Sequence, residues 1–394
     1  MPVRRSLAAL ALSLACAVPA AASVPCGGSF AAFRQAMEAE ARARGADPAL
    51  AARFFDGVRQ DPAVLRADRA QGIFQRPFLD FSRRLISRDR LENGRRNAQR
   101  HDAVFDRIEA EYGIPRGVLL AFWAFETDYG AVQGDYNTVN ALMTLAHDCR
   151  RPELFRPQVF AALELHARGG LDPDRTTGAW AGEIGMVQML PSDILAYGRD
   201  GDGDGRVSLK RSPADALLSG AEMLAGYGWR AGEPWLREAI VPDGFDWALS
   251  GLQGGRSVSD WAALGVRARQ GGLGPARLPA RLIVPQGRGG PAFLAYPNFD
   301  VYFEWNRSFV YVTTAAYFAT RLEGAPVYRA GEPAPGLGPD QMKRLQRKLV
   351  ARGHDVGGID GILGAKTRAA VRAEQARLGL PPDAWPTAEL LARL

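Results

Sequence analysis

Between residues 23 and about 330 the apolar positions recur with helical spacing. The run SFAAFRQAMEAEARARG is amphipathic and ends on Gly45, a residue suited to a helix C-terminus. DPALAARFFDGV opens with Asp47 as an N-cap and Pro48 at the first helical position, where a missing N–H does no harm. IPRGVLLAFWAFETDYG repeats this grammar, with Pro115 early and Gly130 past the end. From about 252 to 290 the texture changes to Gly- and Pro-rich loops, with one short β-like run, ARLIVPQ, and DVYFEW follows at 300–305. GEPAPGLGP, residues 331–339, reads as a linker. The stretch 340–394 is too small for a large core but sufficient for a compact helical module. The pattern predicts a mainly α body over 23–330 with a small β and loop element, then a linker and a small C-terminal module.

Composition narrows the picture. A chain of 394 residues has room for two or three domains, and 47% apolar with 23% charged content is ordinary for a globular protein. The net charge of +6 and pI near 9.4 are a mild basic excess, spread along the chain. That suits an anionic polymer and does not resemble a nucleic-acid-binding arm, so no nucleic-acid partner is expected.

The N-terminus changes the expected compartment. Arg4 and Arg5 precede SLAALALSLACAV, an apolar core too short and Ala-rich to span a bilayer, and Ala20 and Ala22 offer a cleavage site before Ser23. Residues 1–22 therefore read as a signal peptide. Lipidation at Cys16 is disfavoured, because Ser13 stands where a lipobox prefers leucine. No other segment is long and apolar enough for a membrane span, so an exported, periplasmic, monomeric protein is expected. Cleavage leaves Cys26 and Cys149. In an oxidising compartment an isolated pair favours a disulfide over two separate buried thiols.

The candidate chemistry begins with Glu126, a carboxylate set in the apolar run LLAFWAFETDYGA. On a helix Phe122 and Trp123 lie one turn before it and Tyr129 one turn after. Apolar surroundings disfavour the ion and raise a carboxyl pKa, which is what a general acid needs at neutral pH. The plain alternative is a residue near a helix end that reaches solvent past the rings.

Further segments bear on that choice. FETDYG is followed by TVNALMTLAHDCRRPELF, then GAWAGEIGMVQMLPSDILAYGRDGDGDGRVSL, then YPNFDVYFEWNRSFVY. In order and spacing the chain resembles the lytic murein transglycosylase B family, glycoside hydrolase family 103, over roughly residues 28–325. The resemblance implies a lysozyme-like α-helical catalytic domain. It would cleave the MurNAc–GlcNAc β-1,4 bond of peptidoglycan without water, leaving 1,6-anhydromuramoyl ends. It also implies Glu126 as the single acid/base, with Gln188, Asn306 and Tyr311 in the saccharide groove and Tyr311 orienting the glutamate. Trp305 stands where the family often has tyrosine and is expected to stack on a sugar. Asp128, across the helix, is a poor second carboxylate, and a loop residue such as Asp135 is the other candidate. Ala179 and Phe81 replace hydroxyl-bearing residues of some members. The rival functions are a hydrolytic muramidase and a non-catalytic peptidoglycan-binding protein.

RDGDGDGRVSL looks like the start of a calcium loop, with Asp200, Asp202 and Asp204 at positions 1, 3 and 5 and Gly205 at the turn. Position 12, where a bidentate carboxylate should close the site, is Arg211. A structural Ca2+ is thus a candidate and no cofactor is required; otherwise the aspartates cap a turn. MKRLQRKLVARGHDVGGIDGILGAKTRAAVRAEQARLGL resembles the peptidoglycan-binding type 1 module, a small three-helix fold, through Leu345, Gln346, Leu349, Asp360, Gly361, Thr367, Val371 and Gln375. The expected partner is the peptidoglycan glycan strand, with the module as a tether. PDAWPTAELL replaces the usual later Asp-Gly turn of that module.

Overall fold

The computed structural model describes residues 24–70 and 76–394; the expected signal peptide, with Cys16, lies outside the described residues. The described chain is mainly α. An N-terminal group runs α1 (Phe30–Ala43), α2 (Pro48–Phe55), α3 (Pro62–Arg69), α4 (Phe78–Leu85), α5 (Arg88–Arg100), α6 (Asp102–Tyr112) and α7 (Arg116–Thr127). After strand β1 (Tyr136–Asn137) come α8 (Thr138–His147) and α9 (Pro152–Ala167). Strand β2 (Thr177–Gly178) pairs back on β1, and α10 (Pro191–Tyr197) and α11 (Pro213–Gly226) follow. No helix among the described residues is long and apolar enough to cross a membrane.

The sheet departs most from expectation. Five short antiparallel strands, β3 (Leu236–Ile240), β4 (Arg256–Ser257), β5 (Arg267–Ala268), β6 (Pro279–Ile283) and β7 (Ala292–Ala295), assemble in the order β4-β6-β7-β3-β5. Only β6 is in the run that looked β-like. β4 and β5 have two residues each, and β7 is buried on both faces, so none of the three shows a period of two. Helix α12 (Val258–Ala263) lays Trp261 on the sheet, its indole N–H donating to the Ala280 carbonyl at 2.9 Å.

DVYFEW belongs to helix α13 (Pro297–Trp305), started by Pro297. Asn306–Ser308 turn the chain into α14 (Phe309–Leu322), with Ser308 as its N-cap. Helices α7 and α14 form the centre of the main core. Nearly every residue of α7 is buried, as expected of a helix apolar all round. Gly117 permits the close approach of the pair: a Cβ there would lie 2.8 Å from the Ala319 carbonyl oxygen, and its N–H donates to Glu323 Oε1 at 2.6 Å. This approach brings the start of α14 alongside the end of α7.

Cys26 and Cys149 form a disulfide across 123 positions, joining the N-terminal segment to the end of α8. Next to it Gly27 N–H donates to the His147 carbonyl at 2.9 Å, and His147 Nε2 lies 3.2 Å from the Gly28 carbonyl.

The C-terminal module has helices α15 (Pro339–Ala351), α16 (Ala365–Arg377) and α17 (Ala388–Arg393) around Leu345, Leu349, Val371 and Leu390. Gln346 is fully buried and satisfied: it donates to Asp360 and to the Ile362 carbonyl, both at 3.1 Å, and accepts from Gly361 N–H at 2.9 Å. The module is fastened to the body more firmly than the word tether suggests. The guanidinium of Arg368 is buried, donates to the Pro285 carbonyl at 2.6 Å and lies 4.4 Å over the ring of Phe309. Burial lowers its pKa to about 9. Arg372 donates to the carbonyls of Ala248 and Ser250. The 331–339 segment is anchored as well: Glu332 N–H donates to Gly289, and the Trp385 indole donates to Ala334, both at 2.8 Å. Trp385 comes from the altered end of the module, so the departure from the usual pattern supplies a docking contact.

Candidate active site

Glu126 lies in the last turn of α7. Thr127 ends the helix, and Asp128 and Tyr129 follow in left-handed conformation, at φ 51° and 61°. Consecutive left-handed residues with side chains are uncommon and gather where surroundings enforce them. Here the enforcement is local: Thr127 Oγ1 donates to the Met186 carbonyl at 2.6 Å and accepts from Gly130 N–H at 2.9 Å. The helix thus stops one residue after its carboxylate. Glu126 opens onto a groove of about 800 Å³ whose lining includes Trp180, Glu183, Gln188, Trp305, Asn306 and Tyr311.

Two donors hold the carboxyl, both on one oxygen. The Tyr311 hydroxyl donates to Glu126 Oε1 at 2.5 Å, and the Trp305 indole N–H donates to the same atom at 3.0 Å. Burial raises the Glu126 pKa to about 7; the Tyr311 and Trp305 hydrogen bonds pull it down, and the nearby Glu183 charge pushes it up again. Burial and the Glu126 charge hold Tyr311 well above its ordinary value, so it stays a neutral donor. With Oε1 occupied by two N–H or O–H groups, the acid proton belongs on Oε2. The arrangement is a carboxylic acid near neutrality with its proton-bearing oxygen left free of protein donors, the state a general acid requires.

The other residues singled out by sequence fall into place unevenly. Phe122 shares the Glu126 face as expected. Trp305 lines the groove with one ring face stacked on Phe122, centroids 4.1 Å apart, and its indole N–H on Glu126 is a contact the sequence did not suggest. Tyr129 is not on the Glu126 face, because the helix has ended; its ring meets Trp123 edge-on and its hydroxyl donates to the Arg90 carbonyl at 2.7 Å. Gln188 lines the groove, but its amide nitrogen is engaged by Gly185 at 2.8 Å and Gln133 at 3.3 Å, and its φ of 54° fixes the turn. Asn306 also lines the groove, while its Oδ1 accepts from Ser308 N–H at 2.9 Å. Asp128 is exposed and paired with Arg90, and Asp135 is exposed on the loop before β1. Ala179 lines the groove, whereas Phe81 is a core residue of α4.

Glu183 was missed. It stands between two glycines in AGEIGM, a lone carboxylate in an apolar run, which is the same signal that drew attention to Glu126. It lines the groove, and burial raises its pKa.

The aspartate loop brings Asp200, Asp202 and Asp204 within 4.8 Å of one another through one oxygen each. Their carboxylates cap the turn: Asp200 accepts from Gly203 and Gly205, Asp202 from Asp204 and Ser212, and Asp204 from Arg206. Arg211, at the closing position, turns to Ser208 Oγ at 3.4 Å. Asp215 reaches the loop from α11 but accepts from the N–H groups of Gly201 and Ser208, at 2.8 and 2.7 Å. The set offers three aspartates and no closing bidentate carboxylate, an incomplete fit to a calcium cage.

Residues 29–320 match the transglycosylase SLT domain family, and residues 338–394 match a peptidoglycan binding domain family. A crystal structure of SltB3 from Pseudomonas aeruginosa in complex with NAG-anhNAM-pentapeptide is 37% identical, with a TM-score of 0.85 over 93% of this chain and 99% of that one. The Escherichia coli lytic transglycosylase Slt35 in complex with calcium is 25% identical, with a TM-score of 0.65 over 76% of this chain and 96% of that one. Membrane-bound lytic murein transglycosylase B of Escherichia coli is 28% identical over 233 residues, 59% of this chain; the match spans 63% of that relative's length.

Proposed function

The chain belongs to the transglycosylase SLT domain family, and from that membership and the setting of Glu126 we propose that it is a peptidoglycan lytic transglycosylase. The observation that carries the proposal is Glu126, held near a pKa of 7 by burial, with both protein donors on one oxygen and a large groove before it.

The proposed reaction uses this geometry. A glycan strand lies in the groove with the oxygen between MurNAc and GlcNAc near Glu126 Oε2. Glu126 gives its proton to that oxygen as the glycosidic bond breaks. The new carboxylate is stabilised by the Tyr311 hydroxyl and the Trp305 indole, two groups that bind the ion more strongly than the acid. That carboxylate then takes the proton of the muramoyl 6-hydroxyl, whose oxygen closes the 1,6-anhydro ring on C1. Protons balance, water is not consumed, and Glu126 ends as it began. A hydrolytic muramidase would need a base for water. The other carboxyls lining the groove, Glu183 and Asp193, have pKa values raised by burial, which disfavours the ionised form a base needs. Cell-wall turnover in the periplasm is the setting proposed, with residues 23–330 catalytic and 340–394 binding the wall.

Mass spectrometry of a sacculus digest tests the reading. Lytic cleavage gives muropeptides lighter by one water than hydrolytic ones. Glu126→Gln keeps shape and polarity but has no proton to transfer, and its activity should fall by about 10⁴-fold or more. Reducing-end products from the wild type, or a Gln variant within tenfold of wild type, would refute the mechanism.

A further inference from the structure

Glu183 takes no part in the scheme above, yet it shares the groove with Glu126. Its backbone is tightly held. Ala179 N–H donates to the Glu183 carbonyl at 2.9 Å, and Ile184 and Met189 form a β-bridge just after it. Gly178 packs so close that a Cβ there would lie 2.0 Å from the Glu183 carbonyl oxygen. A carboxyl mounted on backbone this constrained is fixed in position.

One oxygen of that carboxyl, Oε2, is sealed from water and has no hydrogen-bond partner. Such a group is expensive to keep, and native chains seldom keep one without a use. The carboxyl is held by backbone N–H groups of Ala181 and of Glu183 itself, and nearby side-chain donors are committed elsewhere. The Gln188 amide nitrogen is engaged with Gly185 and Gln133, and Arg151 is paired with the buried Asp68. A ligand filling the groove can bring the donor that this oxygen lacks.

We infer that Glu183 is a substrate-binding carboxyl that accepts a hydrogen bond from an N–H or O–H of an amino sugar lying in the groove beside Trp180. An N-acetylhexosamine carries such a donor in its acetamido N–H. The inference rests on the reading of the groove as a glycan site and assigns one of its walls.

Glu183 also acts on Glu126 through charge. The groups facing Glu126 are Tyr311, Trp305 and Glu183; those facing Glu183 are Glu126 and Arg151, with Asp193 and Arg307 elsewhere on the groove wall. Negative charge on Glu183 resists ionisation of Glu126. Replacing Glu183 by a neutral residue should therefore lower the pH at which Glu126 loses its proton.

The test uses the full chain. A soluble GlcNAc–MurNAc tetrasaccharide is titrated calorimetrically into the Glu126→Gln protein, and into that protein carrying Glu183→Met or Glu183→Gln. Methionine should weaken binding about tenfold or more, the loss expected for one hydrogen bond to a carboxyl. Glutamine, which keeps an acceptor oxygen, should restore part of it. Affinity of the methionine variant within twofold of the parent overturns the inference, and so does a weakening that glutamine does not relieve, because that is loss of shape. In the otherwise native chain, Glu183→Gln should move the alkaline limb of the pH–rate profile to lower pH; an unmoved limb counts against the inference. A native chain that released no anhydro ends would sink the proposed function while leaving the binding comparison readable.

Discussion

Replacing Tyr311 by phenylalanine removes one hydroxyl and little else. The ring stays in the core at the start of α14, and the Trp305 indole still donates to Glu126. What is lost is a 2.5 Å hydrogen bond to a carboxyl that ionises near pH 7. Hydrogen bonds to charged groups contribute roughly 1.5–3 kcal/mol, and about 1.36 kcal/mol corresponds to one pH unit. The sign follows from which form the hydroxyl favours. It favours the carboxylate, so its removal makes Glu126 hold its proton more tightly. A general acid must start protonated, so kcat/KM falls as pH rises through the pKa of Glu126 in the free enzyme. The alkaline limb of Tyr311→Phe should therefore move up by about one to two pH units. The plateau below it should fall by roughly 10–100-fold, because the same bond supports the carboxylate that forms as the glycosidic bond breaks. The assay is anhydromuropeptide release between about pH 5 and 9, quantified by mass. A limb that stays put, or moves to lower pH, would show that Tyr311 does not act on the ionisation of Glu126, whatever happens to the rate.

The burial that makes Glu126 an acid has a stability signature. Its folded pKa near 7 lies above the ordinary 4.5, so the native state is favoured at low pH and loses stability as pH rises from about 4.5 through 7. Above pH 7 Glu126→Gln should be more stable than wild type by on the order of 3 kcal/mol, with the gap closing below about pH 4.5; equal denaturation midpoints at pH 8 would contradict this. Non-reducing peptide mapping should show one Cys26–Cys149 crosslink, and Cys149→Ser should cost about 2–5 kcal/mol in a urea titration; two freely alkylated thiols would refute the pairing. Calcium should leave the melting temperature nearly unchanged, because Arg211 stands where a closing carboxylate is needed; a large rise at micromolar calcium, abolished in Asp200→Ala, would refute that. Arg368→Ala should lower the melting temperature and also slow cleavage of short soluble muropeptides, since Phe309 beneath its guanidinium starts the helix that carries Tyr311; loss on intact sacculi alone would mean the module is only a tether.

Much of this was legible in the residues because it is local. Helix starts at Asp47–Pro48 and the helix bearing Glu126 announce themselves through caps and spacing. The lone carboxylate in an apolar run pointed to a proton donor, and burial does raise its pKa. The sheet was largely hidden: two-residue strands and a strand buried on both faces leave no alternation to read, and their partners are far apart in sequence. The C-terminus was half legible. Its helices follow from spacing, but its fastening depends on Arg368 and Trp385 meeting carbonyls and rings from distant segments.

The site shows the same divide within single residues. Trp305 is 179 positions from Glu126, and nothing in EWNRSF says that its ring will lie on Phe122 with the N–H aimed at a carboxyl. Sequence could offer only the commonest use of an aromatic residue in a glycan groove. The stacking of Trp305, at the end of α13, on Phe122 of α7 gives that ring a positioning contact with Glu126 that its sequence setting does not announce. Glu183 makes the converse case. Its signal was as strong as that of Glu126, yet a carboxylate in an apolar run shows only that the group is held near neutrality, and not which of two such groups does the chemistry. That choice is made by the kind of donor: Glu126 is held by the Tyr311 hydroxyl and the Trp305 indole on one oxygen, while Glu183 is held by backbone N–H groups of Ala181 and its own residue and keeps a buried oxygen without a partner. The first arrangement favours a proton that leaves and returns, and the second favours a carboxyl that waits for a ligand.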